Sequence, residues 1–505
     1  MDYFLGVDVG TTNIKAAVFN LDGDLIAYHS VGNVIHHPTP DESEFYADEI
    51  WENLCTCIQT VAKEAGAENI RAIAASSMAE SGVPIDREGK PLYPIIAWYD
   101  ERTAPQMEEL DQILGARRIY SITGQILSAK YGLCKMMWIN EKHPDVMKKA
   151  DRWLSVQDFV IYRLTGEYAT DYTTAGRTLC FDINKLDWSD EIMEAVGLST
   201  KLMAKPYPGG EKVGALSEAG AAATGLLPGT AVVTGGHDHC CAAIGINIFE
   251  DGAVLDSMGT SEVLMAATDQ LVLSDETFRR RYAVYPHCGK KIYRILSSNP
   301  SCGSTIEWIF KTIGTDFAEK AEQDGQSKFY HMEQAAAKKN GEGLFFFPLI
   351  RGCLDDQYAK GVYWGLKDTH DQGDMVNAVI NGICYEVKRH LEDYGRILGG
   401  TYNKLRIVGG IAKSDYIMQR KADINEKRTE VPVNRESACF GAALLAAIGS
   451  GYLTFDELEK YYKCAKAYDT HPETISRENF EEYVFLRERV LDIYKEARQH
   501  GIGKQ

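Results

Sequence analysis

Two segments of the chain carry the same chemical device half a chain apart. Gly6-Val7-Asp8-Val9-Gly10-Thr11-Thr12-Asn13-Ile14-Lys15-Ala16-Ala17-Val18 and Val254-Leu255-Asp256-Ser257-Met258-Gly259-Thr260-Ser261-Glu262-Val263-Leu264 each read as an apolar strand, an Asp, a Gly-Thr-(Thr/Ser) turn and a second strand. Backbone N–H groups at glycine turns form concavities that bind anions, and adjacent hydroxyls extend them. Either segment alone reads as an ordinary hairpin. Their matched form and spacing point instead to two related domains, each offering a hydroxyl-rich turn to one phosphate ligand. Asp8, beside the first turn, is suited to hold a cation that offsets phosphate charge; an Asx-type turn bond is its alternative role.

A second carboxylate stands at Gly235-Gly236-His237-Asp238-His239, where the strand Ala231–Thr234 runs into glycines and a helix begins near Cys240. The same strand, tight glycine turn and helix start recur over 405–416. Helix N-termini favour anions and let the backbone approach a ligand. Asp238 thus lies at the mouth of a sheet, with N-capping as its alternative role. His237, His239, Cys240 and Cys241 do not read as a metal site, because adjacent residues of a helix do not converge on one ion. The histidines read as hydrogen-bonding groups beside the carboxylate, the cysteines as small buried residues.

Positioning these groups takes alternating strands and helices, an α/β signature. Residues 3–9 and 14–19 form a hairpin. Residues 47–65 form an amphipathic helix with Ile50, Leu54, Ile58 and Val61 on one face. Ile70–Ala75 is a strand ending at Ser76-Ser77-Met78-Ala79-Glu80, and 85–102 holds a turn followed by Ile95 through Arg102. Residues 103–200 are mainly helical. The domain boundary falls near 245–252, which divides the chain into 1–250 and 251–505. The second half repeats strand–turn–strand over 253–266, starts a helix at Gly303, and places a strand at Leu405–Val408 with a helix from about Ser414. An Ala/Gly-rich helix over 436–449 is able to pack very closely, and a charged helix covers 476–499.

The composition narrows the choice. With 45% hydrophobic and 25% charged residues the chain is an ordinary globular protein, long enough for two or three domains. A net charge of −18 excludes a nucleic-acid backbone as its main partner. The twelve cysteines form no secreted-type framework and no Cys-x-x-Cys pair, as expected of a reduced, cytoplasmic setting. No basic leader precedes the first strand, and no apolar run reaches the ~20 residues that span a bilayer, so no membrane partner is expected.

Taken in order, these motifs resemble the FGGY carbohydrate kinases over nearly the whole chain. The resemblance rests on Asp8-x-Gly10-Thr11-Thr12-x-x-Lys15, Trp98-x-Asp100-x-Arg102, Gly235-Gly236-His237-Asp238, Gly259-Thr260-Ser261 and Gly303 followed by Trp308. It continues through Phe347-Pro348 to Gly361-Val362-Tyr363-Trp364-Gly365-Leu366, then Gly409-Gly410-Ile411-Ala412-Lys413-Ser414, Gln419, Ala422-Asp423 and Glu436 through Gly441-Ala442-Ala443. It implies two duplicated actin-like (ribonuclease-H-like, ASKHA) domains around a central cleft, with ATP and Mg2+ as cofactors. By resemblance, Asp238 is the catalytic base that takes the proton of the attacking sugar hydroxyl, and Asp8 positions Mg2+. Thr11, Thr12, Asn13, Gly259 and Thr260 surround the phosphates, with Lys15 nearby. Gly303, Glu307, Gly410 and Ser414 line the nucleotide. Members of the family often form homodimers.

At the substrate end, Glu80 is similar to a glycerol-kinase glutamate that accepts sugar hydroxyls. The arginine before that glutamate is replaced by Ala79, which removes a donor. Trp98 is suited to stack on a sugar, or to pack as a core aromatic. Asp100 and His239 are expected to face the sugar with Asp238. The expected substrate is a small sugar, first a ketopentose such as xylulose, with gluconate, glycerol, erythritol or another polyol as alternatives. A carboxylate substrate would need a cation, for which Arg102 is the one obvious candidate, with an ion pair to Asp100 as its alternative role. Rival readings are an actin- or chaperone-like ATPase and a sugar-binding regulator without catalysis.

Overall fold

The computed structural model describes residues 1–250, 252–289, 293–337, 343–433, 436–471 and 477–502. Strands β1 (Tyr3–Val9), β2 (Asn13–Asn20), β3 (Leu25–Gly32), β4 (Ile70–Ser77), β5 (Lys212–Ala215) and β6 (Ala231–His237) form one sheet in the order β5-β6-β4-β1-β2-β3. A second sheet takes β7 (Ala253–Met258), β8 (Glu262–Thr268), β9 (Ala283–Pro286), β10 (Tyr293–Asn299), β11 (Lys404–Val408), β12 (Arg428–Pro432) and β13 (Cys464–Tyr468). Its order is β9-β10-β8-β7-β11-β12-β13. In both sheets the first strand pairs antiparallel with the second and parallel with the strand on its other side. A further antiparallel strand follows on one flank and a further parallel one on the other. The duplicated α/β architecture expected from the sequence is therefore present in the strand order itself. No helix among the described residues is long and apolar enough to cross a membrane.

Helix α1 (Ala47–Ala65) has the bounds its apolar spacing predicts, with Ile50, Leu54, Ile58 and Val61 buried against the first sheet. Two local expectations are corrected. First, β6 runs through Gly235 and Gly236 without a turn, and helix α2 (Asp238–Gly245) follows directly. These glycines serve contact: a Cβ on Gly235 would lie 2.0 Å from the Ala75 carbonyl oxygen, and one on Gly236 2.5 Å from Cys288 Sγ. The glycine turn is found only in the second half. There Gly409, at φ +110, leads through a short 3-10 turn (Gly410–Lys413) into α5, taking α3 as Gly303–Lys311, α4 as Gln372–Leu398 and α5 as Asp415–Asn425. Second, Asp256 is not the counterpart of Asp8. Aligned on the glycines of the two turns, Ser257 takes Asp8's place, and alternation along the strand turns Asp256 to the opposite face. Asp256 is fully buried there in an ion pair with Lys421, which also reaches Glu262 at 2.5 Å.

Helices α2 and α6 (Ser437–Gly449) cross between the sheets. Although α6 belongs to the second half of the chain, it buries Phe440 and Leu445 with Phe4, Phe19 and Val233 of the first sheet. Ala243 of α2 packs with Leu255 and Met265 of the second. Glycine permits the crossing. A Cβ on Gly441 would lie 1.8 Å from the Cys241 carbonyl oxygen, one on Gly245 2.6 Å from that of Ser437, and one on Gly6 1.8 Å from that of Cys439. The last described helix, α7 (Arg477–Gln499), matches the expected charged helix apart from residue 476, which lies outside the described residues.

The crossing has a measurable consequence. Gly441→Ala is expected to destabilise the protein by about 1–3 kcal/mol or more, as overpacked cores do, and to lower the thermal midpoint. Gly32→Ala, where a Cβ meets open space, should stay within about 0.5 kcal/mol of the parent. Equal midpoints for the two variants would contradict the close-contact account.

Candidate functional site

Each sheet presents its turn to the same cleft. Gly10 N–H closes the β1–β2 turn on the Asn13 carbonyl at 3.0 Å, and Gly259 N–H closes the β7–β8 turn on that of Ser261 at 2.9 Å. Gly303 opens α3 directly against the second turn, its N–H 3.0 Å from the Gly259 carbonyl oxygen, where a Cβ would come within 2.3 Å of that oxygen. A cavity of about 670 Å³ follows, lined by Gly259, Thr260, Gly303, Glu307 and Gly410. Five of the expected nucleotide-site residues therefore share one wall. Ser414 does not line this cavity. Its hydroxyl caps α5 by accepting from Ile417 N–H and donates to Glu333 at 2.5 Å. Thr12 and Asn13 lie exposed in the first turn. Lys15 is paired with Glu436 at 2.7 Å, joining β2 to the start of α6.

A second cavity, of about 580 Å³, adjoins the first at Gly259 and is lined by Thr11, Glu80, Trp98, Asp238 and His239. Asp238 is the first residue of α2, so the N-cap position falls to His237 and Asp238 is left free to face the cavity. Its Oδ1 accepts from His239 N–H at 2.6 Å and lies 3.0 Å from His237 Nε2. Its Oδ2 has no protein partner among the described residues. Burial would raise the Asp238 pKa, but His237 and His239 outweigh it and hold the carboxyl well below the usual range. Burial would lower the His237 pKa, but Asp238 outweighs it and pushes the value up to about 9, so the imidazolium directs an Nε2–H to Asp238, with Nδ1 3.3 Å from Nη2 of Arg294. Arg294 is fully buried, stacks 3.8 Å from the Tyr285 ring and has no carboxylate partner among the described residues. For His239, burial and neighbouring cations depress the pKa to about 4, so it is neutral at pH 7.

Asp8 is buried and accepts from Ser76 Oγ at 3.0 Å through Oδ1. Burial first, and then the Asp238 charge, push its pKa up to about 6. A buried carboxylate facing a second one is a site that gains from a hard divalent cation with oxygen ligands, so the donor chemistry at Asp8 fits Mg2+. Trp98 is half-exposed at the cleft, its indole N–H donating to Thr11 Oγ1 at 3.0 Å, so it is not a core aromatic.

The remaining expectations at the substrate end are revised. Asp100 is buried and does not line the cavity. It accepts from Ser43 N–H at 2.7 Å and from Arg102 at 2.8 and 2.9 Å. Arg102 is engaged in turn by Glu44 at 2.7 Å, which removes both residues from the sugar. Glu80, in left-handed backbone at φ +64, does have a donor. Arg177 lies 3.0 Å away through Nε, and burial of Glu80 is outweighed by Arg177, Lys130 and His237, which hold its pKa at about 2. Arg177 follows a short turn of helix (Tyr172–Ala175) capped by Asp171 and meets Glu80 across 97 residues of sequence. Local pattern carries no signal for that contact. Cys240 meets His287 and Cys288 in a buried cluster that also draws on the segment after β9, a convergence invisible from the helix alone.

Comparison with known proteins gives one answer for both halves. Residues 3–245 match the N-terminal domain of the FGGY family of carbohydrate kinases, and residues 254–450 its C-terminal domain. The chain is 30% identical to a glycerol kinase of Thermococcus gammatolerans over 479 residues, 92% of this chain and 93% of that one. It is 28% identical to a xylulose kinase of Bacillus subtilis over 511 residues, 99% and 97% of the two chains. A gluconokinase of the same organism is 26% identical over 460 residues, 90% and 89% of the two. In fold it resembles the crystal structure of xylulose kinase from Rhodospirillum rubrum, with a TM-score of 0.88 at 22% identity, covering 99% of each chain.

The raised pKa of Asp8 makes a stability prediction. A folded-state value near 6 against an ordinary 3.8 means that folding stability falls as pH rises between the two, and the penalty is complete above the folded pKa. Asp8→Asn is therefore expected to stabilise the ligand-free protein at pH 8 by about 1–3 kcal/mol, with the gain shrinking toward pH 4. A melting series showing no gain at pH 8, or a larger gain at pH 4, would refute this.

Proposed function

The chain belongs to the FGGY family of carbohydrate kinases, and from that membership we propose that its phosphoryl transfer takes place at Asp238, in the cavity that adjoins the nucleotide-sized one at Gly259. The chain is an ATP-dependent sugar phosphotransferase. The observation that carries the reading is the shared Gly259 wall, which joins a nucleotide-sized cavity to a second one lined by the Asp238 carboxylate. ATP occupies the cavity of Gly303, Glu307 and Gly410. Its phosphates point to the Gly259-Thr260 turn, with Thr11 opposite. Asp8 would hold Mg2+, which screens phosphate charge when bound. The halves 1–250 and 251–505 act as the sugar and nucleotide sides respectively.

The acceptor hydroxyl is received by Asp238 Oδ2, while Oδ1 stays fixed by His237 and His239. The bond from the acceptor oxygen to the γ-phosphorus forms as the β–γ bridging bond breaks, the proton passes to Oδ2 and ADP leaves. A carboxylate with so low a pKa is ionised throughout the neutral range and orients the hydroxyl, taking its proton late. That suits a loose transition state in which alignment and charge stabilisation supply most of the catalysis. The recessed cleft withholds water, the competing nucleophile. A ketopentose, expected from the sequence, and an aldonate both carry a terminal hydroxyl that meets this requirement.

Asp238→Asn is expected to lower kcat for sugar phosphorylation by about 10²–10⁴-fold while the ATP dissociation constant, measured by calorimetry, changes less than about twofold. Retained kcat, or loss of ATP binding with the fold intact, would contradict the assignment of Asp238 to the acceptor side.

A further inference from the structure

The acceptor cavity holds more positive charge than phosphoryl transfer requires. Of its two carboxylates, Asp238 is fixed by His237, and Glu80 is matched by Arg177. Two more cations, Lys130 and Arg281, line the same cavity, and neither has an ion pair or a side-chain hydrogen bond among the described residues. The Lys130 ammonium lies 5.3 Å from the Tyr131 ring, where burial and then Arg177 depress its pKa to about 8. Arg281 sits in left-handed backbone at φ +55, unfavourable for a non-glycine residue. Lys130 is half-buried, and an unpaired cation there costs free energy that an anionic ligand would offset, while Arg281 is exposed and lines the same cavity. The chain as a whole has 54 Lys and Arg against 72 Asp and Glu, yet this one cavity gathers two cations without an ion pair among the described residues.

The nucleotide does not account for them. Neither Lys130 nor Arg281 lines the cavity of Gly303 and Gly410. Lys130 neighbours Glu80, Tyr131 and Arg177 at the sugar end. Arg281 also lines an adjoining recess with Met107, Leu127 and Phe278, away from the phosphate turns. Charge in this cavity thus runs against the net charge of the protein, and it is the local charge that a small ligand meets.

Building on the kinase reading above, we propose that the acceptor carries an anionic group, a carboxylate or a phosphate ester, held by Lys130 and Arg281 while a hydroxyl at its other end reaches Asp238. The hydroxylated chain between lies along Glu80 and Trp98. Arginine and lysine contribute differently to holding the anion. The guanidinium offers it a planar fork, the ammonium a compact point charge.

The test compares acceptors in an ADP-release assay with Mg-ATP, using D-gluconate for the carboxylate, D-fructose 6-phosphate for the ester, and D-glucitol and D-xylulose as neutral compounds. One of the two anions is expected to give kcat/KM at least about tenfold above both neutral compounds, and which one identifies the terminus. Lys130→Met and Arg281→Gln, with melting curves confirming their fold, should each reduce that preference about ten- to a hundredfold, chiefly through KM, as loss of a charge-assisted contact does. A preference for D-xylulose or D-glucitol, or an anion preference unchanged in both variants, overturns the inference. ADP release with none of the four would count against the kinase reading instead. Calorimetry on the ADP-loaded protein then decides the inference separately: gluconate or fructose 6-phosphate binding that is weakened in Lys130→Met supports it, and binding of neither overturns it.

Discussion

The close crossing of α2 and α6 is the constraint on which the rest of the structure depends. Where Gly441 and Gly245 meet the opposing backbone, and Gly6 meets α6, no side chain fits. That contact sets the distance between the two sheets. It also sets where Asp238 stands, because Asp238 is the first residue of α2. The same crossing brings the N-terminus of α6 to Lys15, so the Lys15–Glu436 pair closes the gap behind the first turn. A run of alanine and glycine that looks featureless in the sequence thus fixes the Asp238 carboxylate relative to both glycine turns. Close-packed interiors transmit such placement because they do not deform continuously.

Electrostatics then differentiates two carboxylates of the same cleft. Asp8 and Asp238 raise each other's cost of ionisation, and neighbours decide the outcome. Asp238 has two imidazoles and a helix N-terminus and stays ionised, whereas Asp8 has one serine hydroxyl and a distant lysine and rises to about 6. In the proposed reaction the first would receive a cation and the second a hydroxyl, Asp8 being the first and Asp238 the second. His237, its pKa pushed up to about 9 by Asp238 against the effect of burial, supplies the charge beside that carboxylate. Farther along the cavity, Glu80 is paired with Arg177, while Lys130 and Arg281 have no ion pair among the described residues.

Much of this was legible in the sequence, for reasons of locality. The glycine-threonine turns, the bounds of α1 and the duplication follow from patterns a few residues long, repeated at a spacing that only two similar domains explain. The errors have equally local causes. Gly235-Gly236 reads as a turn because glycine usually marks one, whereas here it marks close contact with Ala75 and Cys288. Asp256 looked equivalent to Asp8, but a shift of one position reverses the face of a strand. From the sequence Asp100 is expected to face the sugar and Arg102 either to hold a carboxylate or to pair with Asp100; the pairing is what the structure shows, with Ser43 and Glu44 taking their remaining polar atoms. Arg177, Lys130, Arg281 and Arg294 carry no motif; they reach the site from separate segments, and folding alone makes them neighbours. The global charge of −18 gave no hint of a cationic pocket.

The central claim is that the cleft moves the γ-phosphoryl group to a carbohydrate hydroxyl and not to water. Phosphorus-31 NMR of the purified protein with Mg-ATP and a carbohydrate acceptor tests it directly, since the fate of the transferred group is read from its resonance. The account predicts a new phosphomonoester signal growing in step with ADP, with little inorganic phosphate. Inorganic phosphate appearing in step with ADP, at a rate indifferent to any acceptor, would contradict it.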